Sequence, residues 1–234
     1  MRFEQKPFTG VGIALMIFIC WAAHLFGLLQ WNLDWFSPWT YLGILIQTHL
    51  YTGLFITAHD AIHGVVAPQH PKLNRALGFL AATLFAYNSY ALLEKKHHQH
   101  HRHVNQEEDP DVHQGPFLLW WFKFMWEYIR WPQVLLMAIT YNVLKLWIPM
   151  ENLILFWELP AILATLQLFY FGTYLPHKNP HASDNPHQSR SQAKNHVWAF
   201  LSCYFFGYHF EHHAWPYLPW WKLPMAKEQN PNKA

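Results

Sequence analysis

Long apolar runs alternate with short polar blocks along this chain, and the polar blocks hold almost all of its titratable side chains. Residues 10–30 contain no Asp, Glu, Lys or Arg, a stretch of about 20 residues that is enough for a helix to cross the hydrocarbon core of a bilayer. Trp31-Asn32-Leu33 follows with no small-residue cleavage site, so the run reads as a retained membrane helix and not as a secretory signal. His24 within it is expected to make an interior polar contact. Pro38 suits the first turn of a second helix, and residues 39–58 are again uncharged and lead straight into His59. Trp31, Trp35 and Trp39 cluster at the intervening turn, as aromatic residues do at a membrane–water boundary.

Farther along, Pro68, Pro71 and Asn74 mark a loop over residues 64–75. Residues 76–93 predict a helix lying in the interface, interrupted by Tyr87-Asn88-Ser89-Tyr90. An acidic, proline-containing loop spans 105–116, and the aromatic stretch 117–132 reads as a second interfacial segment. Residues 133–148 and 152–174 are apolar on either side of Pro149-Met150-Glu151, which predicts a helical hairpin of two spans. Lys145 and Glu158 flank that turn, and because a lone charge in lipid is costly they are expected to pair. Residues 175–193 read as loop, and 196–208 as a helix too short to span.

The pattern therefore predicts one all-α integral membrane domain over residues 1–234. It has four transmembrane helices (10–30, 38–58, 133–148 and 152–174), interfacial helices, and a His-rich cap built from 59–132 and 175–234. Charge tests this topology. Of the 16 Lys and Arg, all but Lys145 fall in residues 1–9, 59–132 or 175–234. Basic residues mark the cytoplasmic face, so the termini and every histidine-rich block are expected there.

Composition adds little beyond this. The chain is 52% hydrophobic and 13% charged, and its near-zero mean hydropathy averages over the alternation. Cys20 and Cys203 are too few and too far apart for a disulfide framework and are expected to be buried free thiols. No basic stripe interleaved with aromatics is present, so no nucleic-acid partner is expected.

The chemistry lies in the histidines, 18 in all against 14 Asp and Glu together. Three groups are tight: His59 and His63; the run Lys96-His97-His98-Gln99-His100-His101-Arg102-His103; and His209-Phe210-Glu211-His212-His213. On a helix, residues at i, i+3 and i+4 share a face. His59/His63, His97/His100/His101 and His209/His212/His213 thus each point several ring nitrogens one way, with His98 and His103 on a competing face. A terminal tag would be uninterrupted, and a metal-scavenging tract would not account for two further groups at helical spacing. Eight imidazoles on one side of a membrane bundle suit two metal ions, and imidazole suits iron among others. Asp60, Glu94, Asp109, Asp111 and Glu211 are candidates to orient the rings through their second N–H. His70, His113, His181, His187 and His196 read as solvated loop residues. Thr52, Phe55 and Ile56 precede His59 on roughly its helix face and are candidates to line a substrate tunnel.

HxxxH, then HxxHH followed by Asn105 and Asp109-Pro110-Asp111, then a second HxxHH, resembles the membrane fatty-acid desaturase and hydroxylase superfamily. Phe171-Gly172-Thr173-Tyr174-Leu175-Pro176-His177 and Pro219-Trp220-Trp221-Lys222-Leu223-Pro224 are similar to its bacterial-type β-carotene ketolase branch, and the likeness covers nearly the whole chain. The resemblance implies a non-haem di-iron site that uses O2, with His59, His63, His97, His100, His101, His209, His212 and His213 as ligands and His177 as a ninth. It also implies a carotenoid substrate drawn from the bilayer and oxidised at the 4-position of its β-ionone ring, and a ferredoxin-like electron donor. Lys72, Arg75, Lys95, Lys96 and Arg102 make a basic surface that would suit an acidic carrier. Thr173 stands where stearoyl-type desaturases carry an Asn. Carotenoid hydroxylation or acyl desaturation uses the same motifs, and a non-catalytic membrane metal binder is the alternative outside enzymes.

Overall fold

The computed structural model describes residues 8–229, and its regular elements are all helical. Arg2, Lys6 and both chain ends, which the charge pattern assigns to the histidine side, lie outside the described residues. The helices are α1 (Thr9–Leu29), α2 (Pro38–Ile62), α3 (Pro71–Leu84), α4 (Tyr90–Arg102), α5 (Phe117–Tyr128), α6 (Trp131–Leu144), α7 (Met150–His177), α8 (His196–Cys203), α9 (His209–Ala214) and α10 (Leu223–Gln229). α1 and α7 are long and apolar enough to cross a membrane. α2 is longer than α1 but carries Gln47, Thr48, His49, Thr52 and Thr57, and α6 has 14 residues.

Successive contacts show α1 and α2 to be antiparallel: Leu28 meets Gly43, His24 Nδ1 donates to Gln47 Oε1 at 2.6 Å, and Ile17 meets Gly53. His24 thus makes the interior polar contact expected of it. The last turn of α1 leaves carbonyls without helical partners. Buried Asn152, at the start of α7, donates to the Leu28, Leu29 and Trp31 carbonyls. From there α7 runs parallel to α2, to which it is tied by Thr52 Oγ1 and Gln167 Oε1 at 2.5 Å. His59 and His177 therefore arrive at the same end of the bundle.

The stretch expected as one helix over 76–93 is two. α3 ends at Leu84, and Ala86 and Tyr87 adopt left-handed backbone (φ 53° and 57°). Ser89 then caps α4 by accepting the Leu92 N–H. The polar Tyr87-Asn88-Ser89 stretch, seen only as an interruption in the sequence, is a reversal. α4 returns antiparallel to α3, with Arg75 bonded to Glu94 and Gly78 so close to the Tyr90 ring that a Cβ there would lie 2.4 Å from it. This reversal carries His97, His100 and His101 back toward His59. The segment expected as one helix over 196–208 is also broken, by left-handed Tyr204 and Phe205, and the break re-aims α9.

Two further expectations fail. Lys145 and Glu158 do not pair: Lys145 lies over the Tyr141 ring, 6.0 Å from its centre, and Glu158 has no ion pair among the described residues. Residues Ile154–Glu158 form a π turn, which rotates the helix face and aims Glu158 at a cavity instead. Both cysteines are free, but Cys20 is exposed on α1.

Asn74 fastens the site end of α2 to α3. Its side chain accepts from the Val66 and Ala67 N–H groups and donates to the Ala61 carbonyl at 2.7 Å, all buried. Asn74→Ala leaves these groups unsatisfied, at about 1–3 kcal/mol for each lost partner. Thermal unfolding of the detergent-purified variant should fall by several degrees, and an unchanged midpoint would show that the tie is dispensable.

Candidate metal centre

Nine histidines from α2, α4, α7 and α9 converge at this end of the bundle. The ligand-capable atoms of His59, His63, His97 and His212 all lie within 4.8 Å of one another, and so do those of His100, His177, His209 and His213. His101 adjoins the first set, its Nε2 3.0 Å from that of His212, and its ring stacks on His213 of the second. The α4 face chosen is thus 97/100/101. His98 is exposed, and His103 bonds only Gln106.

The outward nitrogens explain why the inward ones converge. His100 Nδ1 donates to Asp109 at 2.9 Å, His59 Nδ1 to Asp60 at 3.2 Å, and His177 Nδ1 to the Gln188 carbonyl at 3.0 Å. Each bond fixes the tautomer that leaves an Nε2 lone pair facing inward. The inward nitrogens crowd together: His59 Nε2 to His212 Nε2 at 3.2 Å, His63 to His97 at 2.7 Å, His100 to His213 at 3.2 Å. His177 Nε2 is buried with no partner. Burial first, then the neighbouring imidazoles, hold His97, His209, His212 and His213 far below the usual histidine range, and burial pushes His63 down to about 3. Neutral rings with converging nitrogens fit a pair of cations. His100 differs. Burial acts to lower its pKa, but the hydrogen bond to Asp109 and the charges of Asp111 and Asp109 together raise it.

Of the five carboxylates singled out for orienting rings, Asp60 and Asp109 bond one, and Asp111 lies 4.0 Å from His100. Asp60 also accepts the Trp220 N–H, and its burial raises its pKa to about 8. Asp109 is itself held by the Asn105 and Asp111 N–H groups at 2.9 Å. Glu94 and Glu211 do not bond a histidine. Glu94 is half outside on α4 and pairs with Arg75. Glu211 points away from its histidine neighbours into a wholly buried pairing with Lys227 at 3.5 Å and with the Ser191 hydroxyl. Of the histidines read as solvated, His70 is exposed, whereas His187 packs on Phe210 and His196 bridges Tyr208 and Glu228. Spacing gives no hint of Gln188, Trp220 or Lys227, because each reaches the site from a loop or a helix with no histidine ligand of its own; Trp220 stands in a motif, but its N–H bond to Asp60 is not readable there.

A small cavity opens beside the histidines, lined by Phe55, Leu168, Gly172, Thr173, Phe206 and His209 among others. It shares Phe55, Leu93, Phe124, Tyr128 and Leu168 with a larger, chiefly apolar cavity of about 270 Å³ that lies between the α3–α4 turn and helices α5, α6 and α7. Phe55 is the one member of the Thr52/Phe55/Ile56 set on these walls. The Thr52 hydroxyl is bound to Gln167, and Ile56 is fully buried in the core. Gly172 is needed for contact, since a Cβ there would lie 2.2 Å from Phe206, whose ring packs on His59 and His209.

Removing the partner that orients a ligand costs about 10–100-fold in metal affinity. Asp109→Ala should therefore lose metal on dialysis against a chelator at 10–100-fold lower chelator strength than the parent, while Glu94→Ala keeps it. Equal retention by both would contradict the assigned orientation.

A Fatty acid desaturase family match covers residues 33–137 and 117–233. The chain is 39% identical to a β-carotene ketolase from Paracoccus sp. (strain PC1), over 96% of this chain and 97% of that protein. It is 39% identical to a zeaxanthin 4-ketolase from Chlamydomonas reinhardtii, over 97% of this chain and 55% of that protein. With a β-carotene ketolase from Haematococcus lacustris the identity is 43%, over 78% of this chain and 60% of that protein. The chain thus spans little more than half the length of the algal relatives and nearly all of the bacterial one. It belongs to the fatty acid desaturase family, on the branch whose members are named β-carotene ketolases.

Proposed function

We propose that this chain is an O2-dependent di-iron ketolase that converts the 4-methylene of β-carotene's β-ionone rings to a ketone. The observation that carries this is two sets of converging imidazoles placed beside an apolar cavity. His59, His63, His97, His101 and His212 would hold one iron, and His100, His177, His209 and His213 the other. Bound iron supplies reductive activation of O2. Two oxygenations of the same carbon, each consuming O2, two electrons and two protons and releasing one water, give a geminal diol that loses water to the ketone.

The chain's own residues position and exclude. Phe55, Ile62, Phe206 and Leu168 form the apolar walls beside the histidines and would hold the ring with its 4-carbon toward them, keeping bulk water out. The Thr173 hydroxyl is the polar group of that pocket on α7 and would help complete one coordination sphere directly or through water. Asp60, Asp109 and the Gln188 carbonyl hold ring orientation.

The whole chain, residues 1–234, reads as one membrane domain. α1 and α7 are joined as spans by α2 and by the segment of α6, and the histidine end and both termini face the cytoplasm. Exposed Leu118, Phe122, Trp126 and Trp131 around α5 suit the bilayer interface. Electrons would come from a ferredoxin-like carrier. On the basic surface Arg75 and Lys96 are paired with Glu94 and Glu127, which leaves Lys72, Lys95 and Arg102 without an ion pair among the described residues to attract it.

Expression in a host that accumulates β-carotene should give products that gain one oxygen and lose two hydrogens per oxidised ring, and His100→Ala should abolish them. Oxygen gained without hydrogen lost would instead mean a ring hydroxylase. Unchanged carotene beside iron-loaded protein would overturn the carotenoid reading in favour of acyl-chain desaturation or of metal binding alone.

A further inference from the structure

Glu158 is unexplained by the chemistry above. It is a carboxyl on a predominantly apolar helix, its expected partner Lys145 lies elsewhere, and it has no hydrogen bond or ion pair among the described residues. An ionisable side chain inside a membrane segment is costly unless it meets a partner. Glu158 lines the 270 Å³ cavity, together with Asn88, Gln133 and Thr165. Gln133 is already committed, its amide donating to the Ala86 carbonyl and toward Asn88. Glu158 thus leaves hydrogen-bonding capacity unused on the wall of an otherwise apolar channel.

The spacing gives that end a distance from the reacting site. Glu158, Ala161, Ile162, Thr165 and Leu168 line the large cavity, and Leu168 and Gly172 line the small one. These positions follow the i, i+3, i+4 rule and form one stripe of α7. At 1.5 Å of rise per residue, Glu158 stands on the order of 20 Å along the axis from Gly172. The Glu side chain shortens the gap, and an extended carbon chain advances roughly 1.2 Å per bond. A tail of about a dozen bonds, starting from a ring held at the histidines, therefore ends at Glu158. A two-ring carotenoid is about twice as long, and its far half would continue past Glu158 into lipid. The cavity volume also sits at the low end of sites that enclose a single small ligand.

We propose that the channel accepts a second substrate class: a β-ionone ring bearing a shortened polyene tail that ends in an alcohol or aldehyde, whose terminal oxygen is hydrogen-bonded by Glu158. Ring oxidation then proceeds at the same 4-carbon. The proposal rests on the ketolase reading for its ring chemistry, and on the cavity and Glu158 for its tail.

The test uses the full-length protein in lipid vesicles, with all-trans-retinol as the probe and Glu158→Leu and Glu158→Gln as variants. Retinol fluorescence should show saturable binding to the parent, about tenfold weaker binding to Glu158→Leu, and a smaller loss for Glu158→Gln, which keeps a hydrogen-bonding group. With an electron donor supplied, the parent should convert retinol to a product with one more oxygen and two fewer hydrogens. Glu158→Leu should lose at least tenfold more of its retinol conversion than of its β-carotene conversion. β-Carotene converted but retinol neither bound nor converted would overturn this proposal and leave the ketolase reading standing. Retinol bound through Glu158 while neither compound is oxidised would overturn the ring chemistry and keep the binding site. Equal losses on both substrates in Glu158→Leu would assign Glu158 to the fold.

Discussion

Everything at the working end of this protein follows from the crowding of nine imidazoles, seven of them buried and two half-buried. Burial favours the neutral form of all but His100, whose bond to Asp109 raises its pKa, and a neutral imidazole has one donor and one acceptor nitrogen. Where the structure shows the donor, at His59, His100 and His177, it is turned outward to a carboxylate or carbonyl. The inward Nε2 atoms then stand about 3 Å apart, close enough to share a proton or a cation. Such crowding of nitrogens suits positive charge at the centres. The helix ends, the α3–α4 reversal and the break before α9 all serve to bring these rings together.

Much of this was legible in the sequence because helical spacing is a local property. The faces 59/63, 97/100/101 and 209/212/213 follow from 3.6 residues per turn, and the structure brings them together. The apolar runs that became α1, α2 and α7 were likewise readable. The orienting partners were legible only in part. Asp60 adjoins its histidine in sequence and Asp109 follows closely in the next loop, whereas Gln188 and Trp220 reach the site across long separations that no periodicity records. Glu94 and Glu211 were misread because nearness in sequence does not fix direction. One rotates out to Arg75, and the other rotates to a buried Lys227.

Breaks in backbone regularity were the least visible feature. Left-handed Ala86, Tyr87, Tyr204 and Phe205 are not glycines, so no residue type flagged the two reversals. The π turns of α7 are equally silent in sequence, yet they decide where Glu158 and Thr173 point. The expected Lys145–Glu158 pair failed for that reason. The channel wall shows the same limit: of the stripe on α2, Phe55 lines the cavities, but Thr52 and Ile56 face packed neighbours and not the opening.

The most direct test of the two-centre arrangement is the metal content of the purified, full-length protein, counted per chain by elemental analysis and resolved by Mössbauer spectroscopy after iron-57 loading. The arrangement predicts close to two irons in nitrogen-rich environments. His63→Ala and His177→Ala, one from each set, should lower the count selectively in different components of the spectrum. A single iron in the parent, or an identical spectrum in both variants, would contradict it.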